Sequence, residues 1–233
     1  MNSPLIANSN SMPKQQSVHG SYNMGSSAIL KELLALSAEY EEFSLEAGET
    51  DYVDQVISRK HLRKLLTALQ ARDASTLCHS RRVAFLAKGI ATNLGWEGIH
   101  LKRLEIAALL HDIGKIGVPD HIMFKPGKLT SDEIELMSHY HNIGLDVLQA
   151  CRTDHEVLTI LSQTRYHFSG ATNGYQCIGS DVHQGARILA IADAYDSLAT
   201  DQVYRAGKKH DEIMTILMEA AGTQFDGNII CAL

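Results

Sequence analysis

Four polar residues lie where the surrounding apolar pattern predicts the inside of a helical protein. His79 begins the apolar stripe of one predicted helix, and His111 ends the stripe of the next, directly before Asp112. Asp193 lies in a segment that is apolar on nearly every side, and a buried carboxylate needs a cation, hydrogen-bond donors or a proton. Imidazole and carboxylate together suit a borderline divalent metal such as manganese, iron, zinc or nickel. The structural alternative is a set of hydrogen-bonded core residues without a ligand.

The composition of the chain limits the classes of partner. The 233 residues carry a net charge of −6, with a pI of about 6.0, so we expect no general affinity for duplex nucleic acid. No apolar run reaches the roughly 18 residues of a membrane span. The four cysteines are scattered without a CxxC pair, which indicates a reducing, cytoplasmic location. Histidine is abundant, with 12 residues, and it serves both as a metal ligand and as an acid or base near neutral pH.

The periodicity of apolar residues predicts an all-α protein with an N-terminal helical extension. We expect a disordered tail at 1–27, which is rich in serine and asparagine, and two amphipathic helices within 28–71. These helices could dock on the rest of the chain or form a homodimer seam. The body at 72–233 is predicted to consist of consecutive helices without a sheet. The predicted helices of the body are 75–94, 97–113, 131–150, 154–166, 184–198 and 211–221.

Four segments of the body resemble the HD-GYP family, a branch of the HD phosphohydrolase superfamily. The longest is HDIGKIGVPDHIMFKPGKLTSDEIELM at 111–137, and the others are RDASTLCHSRRVAFLA at 72–87, GARILAIADAYDSLATDQVYR at 185–205 and AGTQFDGNII at 221–230. The resemblance covers the chain from residue 72 to the end. It implies an all-helical HD-domain bundle that binds two or three metals, usually iron or manganese, and hydrolyses cyclic di-GMP.

The ligands that the resemblance implies for the family's first metal site are all present. They are His79, His111, Asp112 and Asp193. Lys115, in the HDxxK spacing, would contact a substrate phosphate, so Asp112 and Lys115 are the predicted catalytic residues. A metal held here would turn bound water into hydroxide near neutral pH and would polarise a phosphoryl oxygen.

The second metal site that the resemblance implies is altered in this chain. Tyr140 and Tyr166 stand where the family has histidine, and Phe168 stands where it has glutamate. Of the ligands of this site, only the bridging Asp112 and His167 match the family pattern. The resemblance therefore implies an incomplete second site.

The substrate side of the site is altered as well. The family's Gly-Tyr-Pro triplet is Gly-Tyr-Gln here, and Tyr175 remains as a predicted substrate contact. In the RxYR motif Gln202 replaces the first arginine, and Arg205 remains to bind substrate. Ser75 occupies a position that is glutamate in members with three metals, which argues against a third ion.

Side chains near the lost histidines could restore binding of a second metal. His141 and Tyr140 are predicted on opposite flanks of one apolar stripe, so His141 would need a helix rotation of tens of degrees to become a ligand. Tyr140 or Tyr166 could bind a metal only as phenolate, which the ordinary tyrosine pKa near 10 disfavours at neutral pH. We therefore expect one divalent transition metal, iron or manganese, rather than two.

Three functions remain open from the sequence. The first is an HD-GYP-type phosphodiesterase for cyclic di-GMP, impaired or degenerate in this copy and acting in signalling. The second is a mononuclear HD phosphohydrolase for another nucleotide or a phosphomonoester. The third is a non-catalytic module that binds a nucleotide or a signalling protein.

Overall fold

The computed structural model describes residues 52–170, 178–201 and 206–233, which form an all-α fold. No β-strand occurs within these ranges, and the predicted fold class is confirmed. None of the helices described there is long and apolar enough to cross a membrane. The predicted tail and the first predicted helix lie outside the described residues. The α-helices are α1 (Val53–Val56), α2 (Arg59–Arg72), α3 (Ala74–Asn93), α4 (Gly98–Leu110), α5 (Asp120–Met123), α6 (Ser131–Ser138), α7 (Tyr140–Ala150), α8 (His155–Gln163), α9 (Gln184–Ala199), α10 (His210–Glu219) and α11 (Gly227–Ile230), and 3₁₀ turns lie at Ile113–Gly117 and Gly179–Asp181.

The centre of the fold is α3, which packs against both α4 and α9. The inward face of α3 carries Val83, Ala87 and Ile90 at helical spacing, and all three are buried. In α4, Ala107 and Ala108 are buried, and their small side chains allow neighbouring helix backbones to approach closely. The predicted first-site residues lie on these three helices or directly after them, so this packing determines where they meet.

The helices before residue 72 join the same core. Val53 and Val56 of α1 and Leu62 and Leu69 of α2 are buried within one hydrophobic cluster with the body. The backbone N–H of Asp154 donates to the carbonyl of Val56 at 2.7 Å, which ties α1 to the loop before α8. The second predicted N-terminal helix therefore docks on the body.

The segment predicted as one helix at 131–150 is two helices in the structure. α6 begins with the capping box of Thr130 and Glu133, as the sequence predicted. It ends at His139, whose N–H bonds to the carbonyl of Leu136 in a tightened turn. α6 buries no residue, and even its isoleucine, Ile134, is exposed. Because of this interruption, the periodicity of the whole segment does not show which face α7 presents to the site.

The start of α7 approaches the 3₁₀ turn after α4 very closely. A Cβ atom on Gly114 would lie 1.7 Å from the carbonyl oxygen of Tyr140 and 2.7 Å from the backbone nitrogen of Gly144. Both contacts are with backbone atoms, so a larger residue fits only if α7 moves away. Gly114 follows Asp112 by two residues, and this contact therefore holds α7 next to the candidate site.

We expect Gly114→Ala to destabilise the protein by about 3 kcal/mol, because the added methyl group overpacks the contact with α7. The matched control is Gly89→Ala, on the exposed side of α3, where an added Cβ meets nothing within 4 Å. There alanine should stabilise the helix by about 0.5–1 kcal/mol. Urea unfolding measures both changes, and a Gly114→Ala protein as stable as the wild type would disprove the close packing.

Candidate metal centre

Three side chains from different parts of the bundle converge on one point. His79 comes from α3, His111 directly follows α4, and Asp193 comes from α9. One ligand atom from each lies within 4.8 Å of the other two. Nε2 of His79 is 3.1 Å from Oδ1 of Asp193, and Nε2 of His111 is 3.9 Å from the same oxygen. The structure thus brings three of the four predicted first-site ligands together.

Hydrogen bonds on the far side of each imidazole determine which nitrogen faces the centre. Nδ1 of His79 lies 2.7 Å from a carboxylate oxygen of Asp196. Nδ1 of His111 lies 2.8 Å from the carbonyl oxygen of Ala108. Neither an ionised carboxylate nor a carbonyl can donate, so both Nδ1 atoms carry the proton. When Nε2 carries no proton, its lone pair is available to a metal ion, and this donor set fits a borderline divalent ion.

The charges in the centre depend on each other. Burial lowers the pKa of His79, but hydrogen bonds to Asp193 and Asp196 outweigh it and raise the pKa to about 9. Burial raises the pKa of Asp193, but its hydrogen bond to His79 and the charge of His111 hold that pKa below the usual value. Asp193 is therefore ionised, and it can share either a proton or a metal ion with the two imidazoles.

Asp112 lies at the edge of the centre and is held by Lys115. Its Oδ2 is 3.5 Å from Nε2 of His111 and 4.0 Å from Nε2 of His79, but Nζ of Lys115 is closer, at 2.6 Å. Burial raises the pKa of Asp112, yet the charges of His111 and Lys115 lower it overall. The Lys115 ammonium is therefore paired with this carboxylate in the structure.

A cavity of about 490 Å³ opens beside the centre. His111 and Asp193 form part of its wall. Four residues of the predicted second site also line it, and they are Tyr140, His141, Tyr166 and His167. No second group of three ligand atoms converges among the residues that the structure describes. The second-site residues thus share the cavity with the first site without forming a second cluster.

Tyr140 and His141 both line this cavity, although the sequence placed them on opposite flanks of a stripe. They are the first two residues of α7, which begins after the interruption at His139. Burial, followed by the negative charges of Asp112 and Asp193, raises the pKa of Tyr140 well above its usual value. Tyr140 is therefore a neutral phenol, which is a poor metal ligand.

Unlike Tyr140, His141 has an atom that could bind a metal, the ring nitrogen Nε2. Burial, followed by the positive charge of Arg165, lowers the pKa of His141, so this imidazole is neutral near pH 7. Its Nε2 is buried and has no hydrogen-bond partner in the described part of the chain. A buried polar atom without a partner is uncommon in proteins, and a bound metal would satisfy it.

Asp193 is less buried than the sequence predicts. Its side chain is 40% exposed, because it forms the cavity wall with Ala190 and Ala194 on the same face of α9. The buried carboxylate of this helix is Asp196, one turn further on, which is 2% exposed. Asp196 was not among the residues predicted from the sequence.

Asp196 and Arg82 form a buried pair that supports the centre. Nε and Nη2 of Arg82 donate to the two carboxylate oxygens of Asp196 at 2.7 and 2.9 Å. The same carboxylate accepts the Nδ1 proton of His79. A signal for this pair does exist in the sequence, since Arg82 follows His79 by three residues and Asp196 follows Asp193 by three. A spacing of three residues places both members of each pair on the same face of their helix, about one turn apart.

We expect Asp196→Asn to weaken metal binding about 10- to 100-fold, because His79 loses the charged acceptor that orients its ring. Competition with a coloured chelator for Mn²⁺ or Zn²⁺ measures the affinity. Asp146→Asn, on the exposed surface of α7, is the matched control. Thermal unfolding must show that both variants are folded in the assay, because the substitution leaves the buried Arg82 guanidinium facing a neutral amide. Wild-type affinity in the folded variant would rule out this role for Asp196.

Three residues on the predicted substrate side lie outside the described residues. They are Tyr175, Gln202 and Arg205. Their part in binding substrate stays a prediction.

The fold and the site together define a helical domain with a candidate metal centre of two histidines and nearby carboxylates. A family model described as "HD domain" matches residues 63–229, which is well over half of the chain. The chain therefore belongs to the HD domain family. This confirms the family resemblance that the sequence motifs predicted.

Several named proteins are similar to this chain in sequence or in fold. The cyclic di-GMP phosphodiesterase response regulator RpfG of Xanthomonas campestris is 32% identical over 177 residues, which cover 75% of this chain and 47% of that protein. A cyclic di-GMP phosphodiesterase of Thermotoga maritima is 28% identical over 209 residues, which cover 87% and 54%. A crystal structure of a cyclic GMP-AMP specific phosphodiesterase from Vibrio cholerae matches the fold with a TM-score of 0.55 at 18% identity, over 73% of this chain and 46% of that chain. The chain spans about half the length of the curated relatives it matches.

Proposed function

We propose that this domain is a metal-dependent phosphohydrolase of the HD-GYP type, which acts in signalling on cyclic di-GMP or another cyclic dinucleotide. The observation that carries the proposal is the convergence of His79, His111 and Asp193 beside the cavity. The names of the relatives, which are cyclic di-GMP and cyclic GMP-AMP phosphodiesterases, support this substrate class.

The proposed ligands of one ion, iron or manganese by the family resemblance, are His79, His111, Asp112 and Asp193. When bound, such an ion supplies an activated water and polarises a phosphoryl oxygen. Asp196 keeps the proton on Nδ1 of His79, so that Nε2 stays available as a ligand. Lys115 neutralises Asp112 in the free protein, and we propose that its ammonium turns to a phosphate oxygen when substrate binds.

We further propose that the domain holds one ion rather than two and cleaves cyclic dinucleotides slowly. Tyr140 occupies the position of a family ligand, and its raised pKa keeps it a neutral phenol. Nζ of Lys115 lies 5.8 Å from the centre of the Tyr140 ring and holds Oδ2 of Asp112, the carboxylate that would bridge two ions. If a second ion binds, His141 and His167 are its proposed ligands, since both line the cavity. Tyr166, which also lines the cavity, occupies the position of a further family ligand.

The same observations favour a second candidate function, a mononuclear phosphohydrolase for another nucleotide or a phosphomonoester. One ion with three protein ligands and an open position is sufficient for hydrolytic chemistry in other metalloenzymes. The cluster of His79, His111 and Asp193 has this number of ligands. Under this candidate the site is complete as it stands, and the loss of the second set of ligands does not impair it.

We propose a cytoplasmic location, with nucleotides or signalling proteins as partners rather than duplex nucleic acid. The three cysteines in the described part of the chain are free thiols, as expected in a reducing compartment. The net charge of −6 gives no general attraction to duplex nucleic acid. A homodimer through the N-terminal helices belongs to the same proposal, with the first predicted helix, which lies outside the described residues, as part of its seam.

Two measurements on one sample test the proposed function. ICP-MS on protein purified without chelator or nickel resin gives the metal content, and liquid chromatography follows cleavage of cyclic di-GMP and of p-nitrophenyl phosphate. About one ion per chain with slow cleavage of cyclic di-GMP would support the first candidate. About one ion with cleavage of the monoester alone would support the second. A protein with neither metal nor hydrolysis would refute both.

A further inference from the structure

Arg165 lies at the mouth of the cavity, just after the C-terminal end of α8. It lines the cavity together with Tyr140, His141 and Asp193. Its Nη1 donates to the carbonyl oxygen of Ser138, at the C-terminal end of α6, at 3.2 Å. The guanidinium thus reaches from the end of one helix to the end of another, and the carbonyl fixes one edge of it beside the opening.

The charge of Arg165 is not neutralised by an acidic side chain of the described residues, whereas most buried or half-buried arginines of this fold are paired. Its hydrogen bond to Ser138 uses one of five N–H donors, and the residue is exposed. Its positive charge nevertheless acts on Tyr140 and His141 inside the cavity. The arginines that the structure pairs with a carboxylate are Arg59, Arg72, Arg82, Arg103 and Arg187.

Arg165 belongs to the cavity wall but not to the metal centre. Among the described residues its guanidinium is held by the Ser138 carbonyl, whereas the ligand atoms of His79, His111 and Asp193 face one another. A substrate with two phosphates can therefore place one at the centre and the other at Arg165. The cavity, at about 490 Å³, lies within the range of pockets that enclose ligands much larger than one phosphate.

We propose that Arg165 binds a phosphate of the substrate other than the one that reacts, namely the second phosphate of a cyclic dinucleotide. This inference rests on the proposed function. An arginine fork binds phosphate oxygens through two parallel charge-assisted hydrogen bonds, and the bond to Ser138 uses only one of the five N–H donors of Arg165. Arg165 would then select substrates with two phosphates over those with one.

The test compares cyclic di-GMP with cyclic GMP, which carries the same base and a single phosphate. Equilibrium binding at 4 °C, by fluorescence polarisation of a labelled cyclic di-GMP and by competition with the unlabelled nucleotides, gives both affinities on the full chain. We expect Arg165→Ala to weaken binding of cyclic di-GMP about 10-fold or more, because charge-assisted hydrogen bonds to phosphate are lost. Arg165→Lys should recover part of the affinity. Arg63→Ala, an exposed arginine of α2, is the matched control and should bind like the wild type.

The outcomes distinguish this inference from the proposed function. Affinity for cyclic GMP should not change in Arg165→Ala, and an equal loss for both nucleotides would mean that Arg165 holds the reacting phosphate. If the wild type binds cyclic di-GMP and Arg165→Ala binds it equally well, the inference is wrong and the proposed function stands. If the wild type binds neither nucleotide, the assignment of a cyclic dinucleotide is wrong, and the inference is overturned with it.

Discussion

Asp193→Ala is expected to empty the metal centre and to abolish hydrolysis. Oδ1 of Asp193 is the carboxylate oxygen of the three-residue cluster, and it lies 3.1 Å from Nε2 of His79. Without it, two neutral imidazoles would have to bind a dication with no anion beside them except Asp112, which Lys115 already holds. Metal content by ICP-MS should fall from about one ion per chain to background, and hydrolysis should fall with it.

Two controls separate loss of the metal from loss of the fold. Asp146→Ala removes an exposed carboxylate on α7 and should keep the wild-type metal content. Asp193→Asn keeps the shape of the side chain but offers only a neutral amide oxygen, so it should bind metal much more weakly than the wild type. Circular dichroism of all three variants should show the same helical signal. A folded Asp193→Ala protein that still carries its metal would show that the centre is assembled from other ligands.

The helices could be predicted from the sequence because the buried face of each helix carries apolar residues at helical spacing. The helix predicted at 75–94 is Ala74–Asn93 in the structure, and the one predicted at 184–198 is Gln184–Ala199. The residues of the candidate metal centre were predictable for the same reason. His79 and His111 interrupt apolar stripes, and a polar side chain on an inward face has few partners in a small helical domain except the other residues that interrupt such stripes.

What the sequence did not show depends on three-dimensional detail. The break at His139 lies beside the contact of α7 with Gly114, which joins two segments that are far apart in the sequence, whereas periodicity assumes one straight helix. Asp196 was missed because it completes a buried network with Arg82 rather than facing the cavity. Arg165 lies in the last turn of the helix predicted at 154–166 as an ordinary charged residue, and only the position of the Ser138 carbonyl shows that it is held at the cavity mouth.

The double substitution Tyr140→His with Tyr166→His is expected to add a second ion and to speed up cleavage of cyclic di-GMP. At present Tyr140 brings a neutral phenol to the wall of the cavity, because burial and the charges of Asp112 and Asp193 raise its pKa. An imidazole there offers a lone pair at neutral pH without losing a proton from oxygen. Metal content should rise from about one to about two ions per chain, and each 1.4 kcal/mol of recovered charge stabilisation corresponds to about tenfold in rate.

The phenylalanine variant of the same two positions is the matched control. Tyr140→Phe with Tyr166→Phe keeps both rings in the cavity and removes the hydroxyl groups without adding a ligand, so neither metal content nor rate should rise. If the histidine variant gains an ion but no activity, the substrate side of the site is the remaining lesion. If the wild type already holds about two ions, Tyr140 does not block the second position, and His141, whose Nε2 is buried without a partner, becomes its ligand. His141→Ala should then lower the metal content by about one ion, whereas His139→Ala, on the exposed side of the junction, should not change it.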